Sequence, residues 1–312
     1  MTVLGSSDLN VFPLSLGGNV FGWTADRDTS FAVLDAFAAA GGDFIDTADV
    51  YSAWVPGNSG GESETIIGEW IASRRPEGVV VATKVSKHPE FPGLSKGNIR
   101  AAAEASLARL GVDTIDVYYA HAEDAETPLE ETVAAFGELV ADGLIRYPAV
   151  SNFSAESTRE WVRLAREQGV AEPIATQPAY NLVDRAVERE IVPAADELGL
   201  TVVPYYALAS GFLTGKYRST DTSAQSSPRA GSAARYATPD GLAVLSALDD
   251  VAAAHGVSPA SAALGWLRAK GAVPIASASR TEQVAGLIAG ATLDLTADEV
   301  AALDAASAPF VG

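Results

Sequence analysis

Apolar and polar positions follow two alternating periods along the chain, and these periods predict alternating strands and helices. Short apolar runs such as Val79 to Lys84 are rich in β-branched residues, which is typical of buried strands. Between them, apolar residues recur at helical spacing, as Phe31 and Leu34 do between Asp28 and Ala40 before a pair of glycines ends the run. The chain therefore repeats a strand-and-helix unit.

The pattern predicts eight such units. The strands are Leu14–Leu16, Asp43–Thr47, Val79–Lys84, Ile115–His121, Leu144–Ser151, Ile174–Gln177, Thr201–Tyr205 and Ala272–Ala276. The helices are Asp28–Ala40, one that begins at Glu62, Asn98–Leu110, one that begins with Thr127 as cap and Pro128 at its first position, Ala155–Gln168, Arg185–Leu198, Ser258–Ala269 and Thr281–Ala289. Residues 3 to 16 predict a small hairpin before the first strand, and Thr296 with Glu299 predicts a capped terminal helix.

Eight alternating units in 312 residues fit a closed (β/α)8 TIM barrel, an α/β fold, better than an open sheet. No interdomain linker is evident, so we expect a single domain over residues 1 to 312, with a hairpin cap and an extra C-terminal helix. A long Ser-, Ala-, Gly- and Pro-rich loop, about 216–239, follows the seventh strand and should lie over the face that carries active sites in barrels. At that length it is a functional loop or a disordered one.

Composition narrows the class of protein. The absence of cysteine excludes disulfides and thiolate chemistry and suits a cytoplasmic location. A net charge of -19 argues against nucleic acid as a partner, and the longest uncharged run is too interrupted to span a membrane. The oligomeric state stays open, a monomer included.

Three consecutive predicted strands end in polar residues of catalytic type, namely Asp46, Lys84 and His121. Tyr51, on the loop after Asp46, can fold back over them. Taken alone, His121 is more often a core histidine and Lys84 a surface lysine. Together they suggest a site, because a lysine that ends an apolar strand near a barrel interior needs a carboxylate partner.

At this point the sequence resembles the aldo-keto reductases over nearly its whole length. The motifs, in the family's order and spacing, are FIDTADVY with GESETIIGEW, VVVATKV, DVYYAH, GLIRYPAVSNF, TQPAYNLVDR, VVPYYALASGFLTGKY and PIASASRTEQV. The resemblance implies a barrel that reduces aldehydes or ketones with an extended nicotinamide cofactor and without a Rossmann domain. The chain also has no G-x-G-x-x-G motif after a strand.

The resemblance also implies roles for single residues. Tyr51 is the general acid that protonates the carbonyl oxygen, Lys84 held by Asp46 favours its phenolate, and His121 orients the carbonyl. The nicotinamide carboxamide is held by Ser151, Asn152 and Gln177, with Tyr205 stacked on the ring. The pyrophosphate meets Leu208, Ser210 and Gly211, and the adenosine meets Ser277, Ser279, Arg280 and Gln283. The chain departs from the family at Ala149, where glycine is usual, and at Tyr206-Ala207, where Ser-Pro is common.

Two further expectations concern the cofactor and the pocket. Arg280, beside Ser277 and Ser279 at a helix start, predicts NADPH rather than NADH. Lys216 opens a basic loop that also holds Arg218, Arg229 and Arg235 against Asp221, which predicts a lid over the pyrophosphate. Trp23 and Trp54 are walls for the carbonyl substrate or else core residues.

Three functions compete on these residues. The first is an NADPH-linked carbonyl reductase, and the second is a non-catalytic or slow NADP(H)-sensing regulatory subunit on the same barrel. The third, a metal-dependent hydrolase, needs several converging imidazoles or carboxylates, whereas the chain has only three histidines, so we expect no metal site.

Overall fold

A computed structural model describes residues 1–219 and 230–312, and its centre is a barrel of eight parallel strands. The strands are β1 Ser15–Gly17, β2 Phe44–Asp46, β3 Val80–Val85, β4 Ile115–Ala120, β5 Ile145–Ser151, β6 Ala175–Gln177, β7 Thr201–Val202 and β8 Ile275–Ala276. Each strand pairs with the next along the chain from β1 to β7, and β8 pairs with β1. This order is that of the predicted (β/α)8 barrel.

The remaining seam, between β7 and β8, is closed by backbone hydrogen bonds. The Val273 N–H donates to the Val202 carbonyl at 2.9 Å, and the Ile275 N–H donates to the Pro204 carbonyl at 2.9 Å. Pro204 has no N–H of its own to give to the ladder, so β7 ends at Val202 and not at Tyr205 as expected.

Helices surround the strands. They are α1 Arg27–Ala39, α2 Glu62–Arg74, α3 Lys96–Leu110, α4 Leu129–Ala141, α5 Ala155–Gln168, α6 Ile191–Leu198, α7 Ala230–Ala234, α8 Pro239–His255, α9 Pro259–Ala269, α10 Val284–Thr292 and α11 Ala297–Ala306. The extra C-terminal helix is confirmed as α11, whose Thr296 and Glu299 form the predicted capping box. Within the described residues, no helix is long and apolar enough to cross a membrane.

The predicted N-terminal hairpin is also present. Thr2–Val3 pairs antiparallel with Asn10–Val11. Leu4, Leu9 and Val11 pack into one cluster with barrel residues, since the cluster also holds side chains of β2, β3 and β4. The hairpin therefore closes the end of the barrel at which the strands begin.

Three predicted helix starts are wrong, and one of them is that of the eighth helix, where a 3-10 turn at Thr281–Gln283 precedes α10. The helix expected from Arg185 to Leu198 is instead a short 3-10 turn at Ala186–Glu188 followed by α6. Pro193 explains the break, because its ring would clash with the carbonyl of Arg189 in a continuous helix. At α4 the Thr127 hydroxyl donates to Asp124 and makes no cap, so Pro128 occupies the cap position.

The segment expected to be irregular up to residue 239 contains α7 and leads directly into α8. Helix α8 was not predicted, although Thr238 caps it and Pro239 stands in its first turn. The central part of the proposed lid, residues 220–229 with Asp221 and Arg229, lies outside the described residues. Arg218, one of the basic residues expected on the lid, forms a salt bridge with Asp249 at 2.8 Å.

Candidate active site

A buried lysine stands at the carboxyl end of β3 and ties three chain segments together. Lys84 has no exposed side-chain surface, and its ammonium donates to Asp46 Oδ2 at 2.7 Å and to the Thr47 carbonyl at 2.5 Å. A third contact, at 3.3 Å, joins Nζ to the Tyr51 hydroxyl. Although burial alone would lower the pKa of Lys84, the neighbouring Asp46 and Tyr51 raise it, so the ammonium stays charged.

Asp46 ends β2 and is held on both carboxylate oxygens. Lys84 occupies Oδ2, and the Gln177 amide donates to Oδ1 at 2.9 Å. Burial raises the pKa of Asp46, while Lys84 and Gln177 counteract that shift. A buried charge needs such partners, and here they come from two other strands, β3 and β6.

Tyr51 lies on the loop after β2, with its ring centre 4.9 Å from the Lys84 ammonium. Burial raises the pKa of Tyr51, and this outweighs the lowering by Lys84. The expectation that Lys84 favours the phenolate is right in direction, yet the net shift favours the phenol. Tyr51 therefore holds a proton at neutral pH and can donate it.

His121 follows β4 directly and lies beside Tyr51, with ring centres 6.3 Å apart. It is 8% exposed, and its Nδ1 has no hydrogen-bond partner within the described part of the chain. Burial, with help from Lys84 and Lys87, holds the pKa of His121 well below its ordinary value. The imidazole is therefore neutral near pH 7, and it can hydrogen-bond without adding charge.

A polar platform surrounds these four residues. Asn152, in a left-handed conformation at φ 55°, donates from its amide to the His121 carbonyl at 2.8 Å. The Tyr205 hydroxyl donates to Asn152 Oδ1 at 2.7 Å, and the Ser151 hydroxyl donates to the Gln177 carbonyl at 2.9 Å. The residues predicted to hold the nicotinamide thus lie together, next to Asp46 and His121.

The residues predicted for the pyrophosphate lie on the turn after β7. Leu208 precedes a 3-10 segment, Ala209–Thr214, in which Ser210 and Gly211 take left-handed conformations at φ 57° and 96°. Lys216 is exposed, with its ammonium 4.8 Å above the ring of Tyr217. An exposed ammonium beside this turn fits an anionic group.

Around the end of β8, some of the residues predicted to bind adenosine already form hydrogen bonds within the protein, and others do not. The Ser277 hydroxyl donates to the Asn19 side chain, the Ser279 hydroxyl pairs with Thr24 at 3.0 Å, and the Ser279 N–H donates to Gln283 Oε1 at 2.8 Å. Arg280, by contrast, is exposed, and its side chain forms no hydrogen bond or salt bridge with any described residue, so its guanidinium is available to an anion.

Two tryptophans extend the site outward from Tyr51. Trp54 lies 5.8 Å from the Tyr51 ring and 5.8 Å from the Trp23 ring, edge to face in both cases. Trp54 is 47% exposed. This position suits the wall of a pocket better than the core.

Sequence reasoning missed three groups near the site. Asp49 is fully buried, and neither of its carboxylate oxygens has a hydrogen-bond partner among the described residues. Lys87 lies in the short ribbon after β3, and the exposed ring of Tyr206 lies 4.9 Å from that of Tyr205. Only weak features of the sequence point to these residues. Asp49 belongs to the motif around Tyr51, and Lys87 follows Lys84 by three positions. Tyr206 stands where Ser-Pro is common in the family.

Comparison with known proteins gives a consistent result. Residues 13–308 match the model of the aldo/keto reductase family. An uncharacterized oxidoreductase, YrpG, of Bacillus subtilis is 34% identical, with 94% of this chain and 91% of that protein covered. A probable voltage-gated potassium channel subunit beta of Oryza sativa subsp. japonica is 36% identical, with 84% and 81% covered. Aldo-keto reductase str7 of Strobilurus tenacellus is 31% identical, with 96% and 87% covered.

Proposed function

Because the chain belongs to the aldo/keto reductase family, we propose that it is an NADPH-dependent enzyme that reduces aldehyde or ketone carbonyls to alcohols. The observation that carries the proposal is the contact of a protonated phenol, Tyr51, with a buried ammonium, Lys84, beside a neutral imidazole, His121. Such a group can protonate an oxygen while a positive charge stands ready for the anion left behind.

The cofactor, when bound, supplies the hydride. Tyr51 donates its proton to the carbonyl oxygen, and Lys84 stabilises the resulting phenolate at the 3.3 Å contact. Asp46 keeps Lys84 in place, and its bond to Gln177 fixes the carboxylate. His121 hydrogen-bonds the carbonyl oxygen and orients it toward Tyr51.

The cofactor sites form part of the same proposal. Ser151, Asn152 and Gln177 hold the carboxamide, and Tyr205 stacks on the nicotinamide ring. The anionic parts meet the turn after β7, Lys216 and Arg280, whose exposed donors have the charge that phosphates need. A cytoplasmic location belongs to the proposal as well.

The test is Tyr51→Phe. We expect wild-type protein to oxidise NADPH steadily in the presence of an aromatic aldehyde, and the variant to lose more than about nine-tenths of kcat, a barrier increase above ~1.4 kcal/mol. Affinity for NADPH should stay nearly unchanged, since only the proton donor is removed. A variant that keeps more than about a tenth of kcat would show that Tyr51 is not the acid.

A second candidate function is an NADP(H)-sensing regulatory subunit. The likeness to the potassium channel subunit beta of Oryza sativa favours it. The intact group of Asp46, Tyr51, Lys84 and His121 favours the enzyme, because a sensor needs no proton donor. Tight NADPH binding without turnover of any aldehyde in a broad panel would support the sensor.

A further inference from the structure

The chain is strongly acidic, and most of its basic side chains are committed to salt bridges. It has 40 acidic against 21 basic residues. The described basic residues that form no salt bridge with another described residue are Arg75, Lys87, Arg189, Lys216, Arg235 and Arg280. Because carboxylates outnumber basic side chains about two to one, a basic residue that pairs with none of them is a candidate for binding an anion from outside the chain.

Four of these side chains follow the carboxyl ends of barrel strands, on the face that holds Tyr51. Lys216 and Arg235 follow β7, Arg280 follows β8, and Lys87 follows β3. The phosphates of the proposed cofactor account for the β7 and β8 side. They do not account for Lys87, because β1 and β2 separate β3 from β8 and the barrel lies between β3 and β7.

A short ribbon fixes the position of Lys87. Lys87–His88 pairs antiparallel with Phe91–Pro92, and the ring of His88 packs against that of Phe91 at 5.3 Å. His88 is buried and accepts the Glu90 N–H on Nδ1 at 3.1 Å. The backbone at Lys87 is therefore anchored, although its side chain is exposed.

Lys87 is also electrostatically close to the reacting groups. Its charge contributes to the low pKa of His121, and its own pKa is lowered by partial desolvation of the ammonium, which the surrounding atoms cover incompletely, and by the charge of Lys84. Two ammonium groups so placed repel each other, and no described carboxylate pairs with Lys87. A bound anion would remove that cost.

We propose that Lys87 forms a subsite for a carboxylate of the substrate, so that the protein acts on aldehydes or ketones that are also acids. The proposal rests on the proposed reductase function, because it assigns the substrate of that same site. Trp54 lies 5.8 Å from the Tyr51 ring and is 47% exposed, so its ring is accessible to such a substrate. Lys87 binds one end of the molecule, and Tyr51 and His121 meet the carbonyl at the other.

The experiment compares matched probes. The 3- and 4-carboxybenzaldehydes carry the charge at two positions, and the corresponding formylbenzamides have nearly the same shape without it. We measure kcat/KM with NADPH and, separately, probe binding through quenching of tryptophan fluorescence. Wild-type protein should prefer at least one acid over its amide by on the order of tenfold, through KM more than kcat.

Lys87→Gln should reduce that preference to near unity by weakening kcat/KM for the acids more than for the amides, whereas Lys87→Arg should keep part of the preference. Lys96→Gln is the matched control: it removes the same charge from an exposed lysine on α3 that pairs with Glu138. This control should keep the preference.

Equal treatment of acid and amide by the wild type would overturn the subsite, as would a preference that survives in Lys87→Gln or is lost equally in Lys96→Gln. The binding measurement separates the two proposals. Absence of turnover together with a Lys87-dependent binding preference would leave the subsite standing and refute the reductase. Turnover without any preference for the acids would support the reductase and refute the subsite.

Discussion

Asp49 is a residue at which burial changes the protonation state of a carboxyl group. It lies in the loop between β2 and Tyr51, and neither of its carboxylate oxygens has a partner among the described residues. Burial, with a smaller contribution from Glu64, raises the pKa of Asp49 from 3.8 to about 8, against opposing effects of the nearby Val50 backbone N–H, Arg109 and Lys84. The group is therefore a neutral acid over most of the physiological pH range.

This shift makes stability depend on pH. Between the unfolded pKa of 3.8 and the folded pKa of about 8, the native state holds a proton that the unfolded chain has lost. The free energy of unfolding should thus fall as pH rises through that window, by up to about 1.4 kcal/mol per pH unit from this group.

Urea denaturation at a series of pH values measures the effect. Asp49→Asn should flatten the decline, because the amide cannot ionise. Asp113→Asn, at an exposed position on the loop before β4, is the control and should leave the profile unchanged. Parallel profiles for wild type and Asp49→Asn would show that Asp49 is already ionised in the native state.

At the scale of single residues, the sequence predicts part of the candidate site but gives only weak indications of Asp49 and Lys87. Asp46, Lys84 and His121 were found because strand ends in a barrel converge, and convergence follows from topology. The protonation of Asp49 and the isolation of Lys87 depend on which side chains are absent nearby. No spacing along the chain records that, so only the packed structure reveals it.

At the scale of elements, the errors have a common cause. The sequence analysis assigns no element to residues 240–255, which form most of α8, although Thr238 and Pro239 repeat the helix-start signal that predicts α9 at Ser258 and Pro259. The expected helix across Pro193 is wrong because the apolar spacing was given more weight than the proline. In both places a proline-containing local signal, and not the wider sequence pattern, determines where the α-helix begins.

The connection from β8 to α10 gives a prediction of its own. Arg280 precedes a 3-10 turn that leads into α10, so its donors stand at a helix start that already favours an anion. If Arg280 binds the 2'-phosphate, wild-type protein should favour NADPH over NADH by roughly ten- to a hundredfold in kcat/KM. Arg280→Ala should remove most of this preference and leave NADH turnover nearly intact.

Arg75→Ala supplies the control, because Arg75 also forms no salt bridge with a described residue but ends α2, before β3 begins. It should keep the NADPH preference. Equal use of both cofactors by the wild type, or the same ratio in Arg280→Ala, would rule out Arg280 as the phosphate ligand.

At the scale of the whole molecule, the barrel was predictable because its period repeats eight times, whereas the lengths of β7 and β8 were not. Those strands are short, and their seam depends on the amides of Val273 and Ile275. Both residues are buried, at 1% and 8% exposure.

We therefore expect these two amides to exchange with solvent deuterium as slowly as those of β3 and β4, although they lie at the edge of the ladder. Native-state hydrogen exchange followed by NMR measures this directly. The exposed turn at Gly57 serves as the fast reference. Exchange at Val273 and Ile275 as fast as at Gly57 would mean that the barrel opens at this seam.

The pairing of β1 with β8 also bears on how the chain is made. Ser15 meets Ile275, so the first barrel strand leaves the ribosome about 260 residues before its partner exists. At roughly 5 to 20 residues per second, that interval lasts on the order of tens of seconds. Throughout it, one edge of the growing sheet has no neighbour, and an unpaired edge invites other strands. The nascent protein is thus most exposed to misassembly just before its last eighth is translated, which is when a chaperone would be of most use to it.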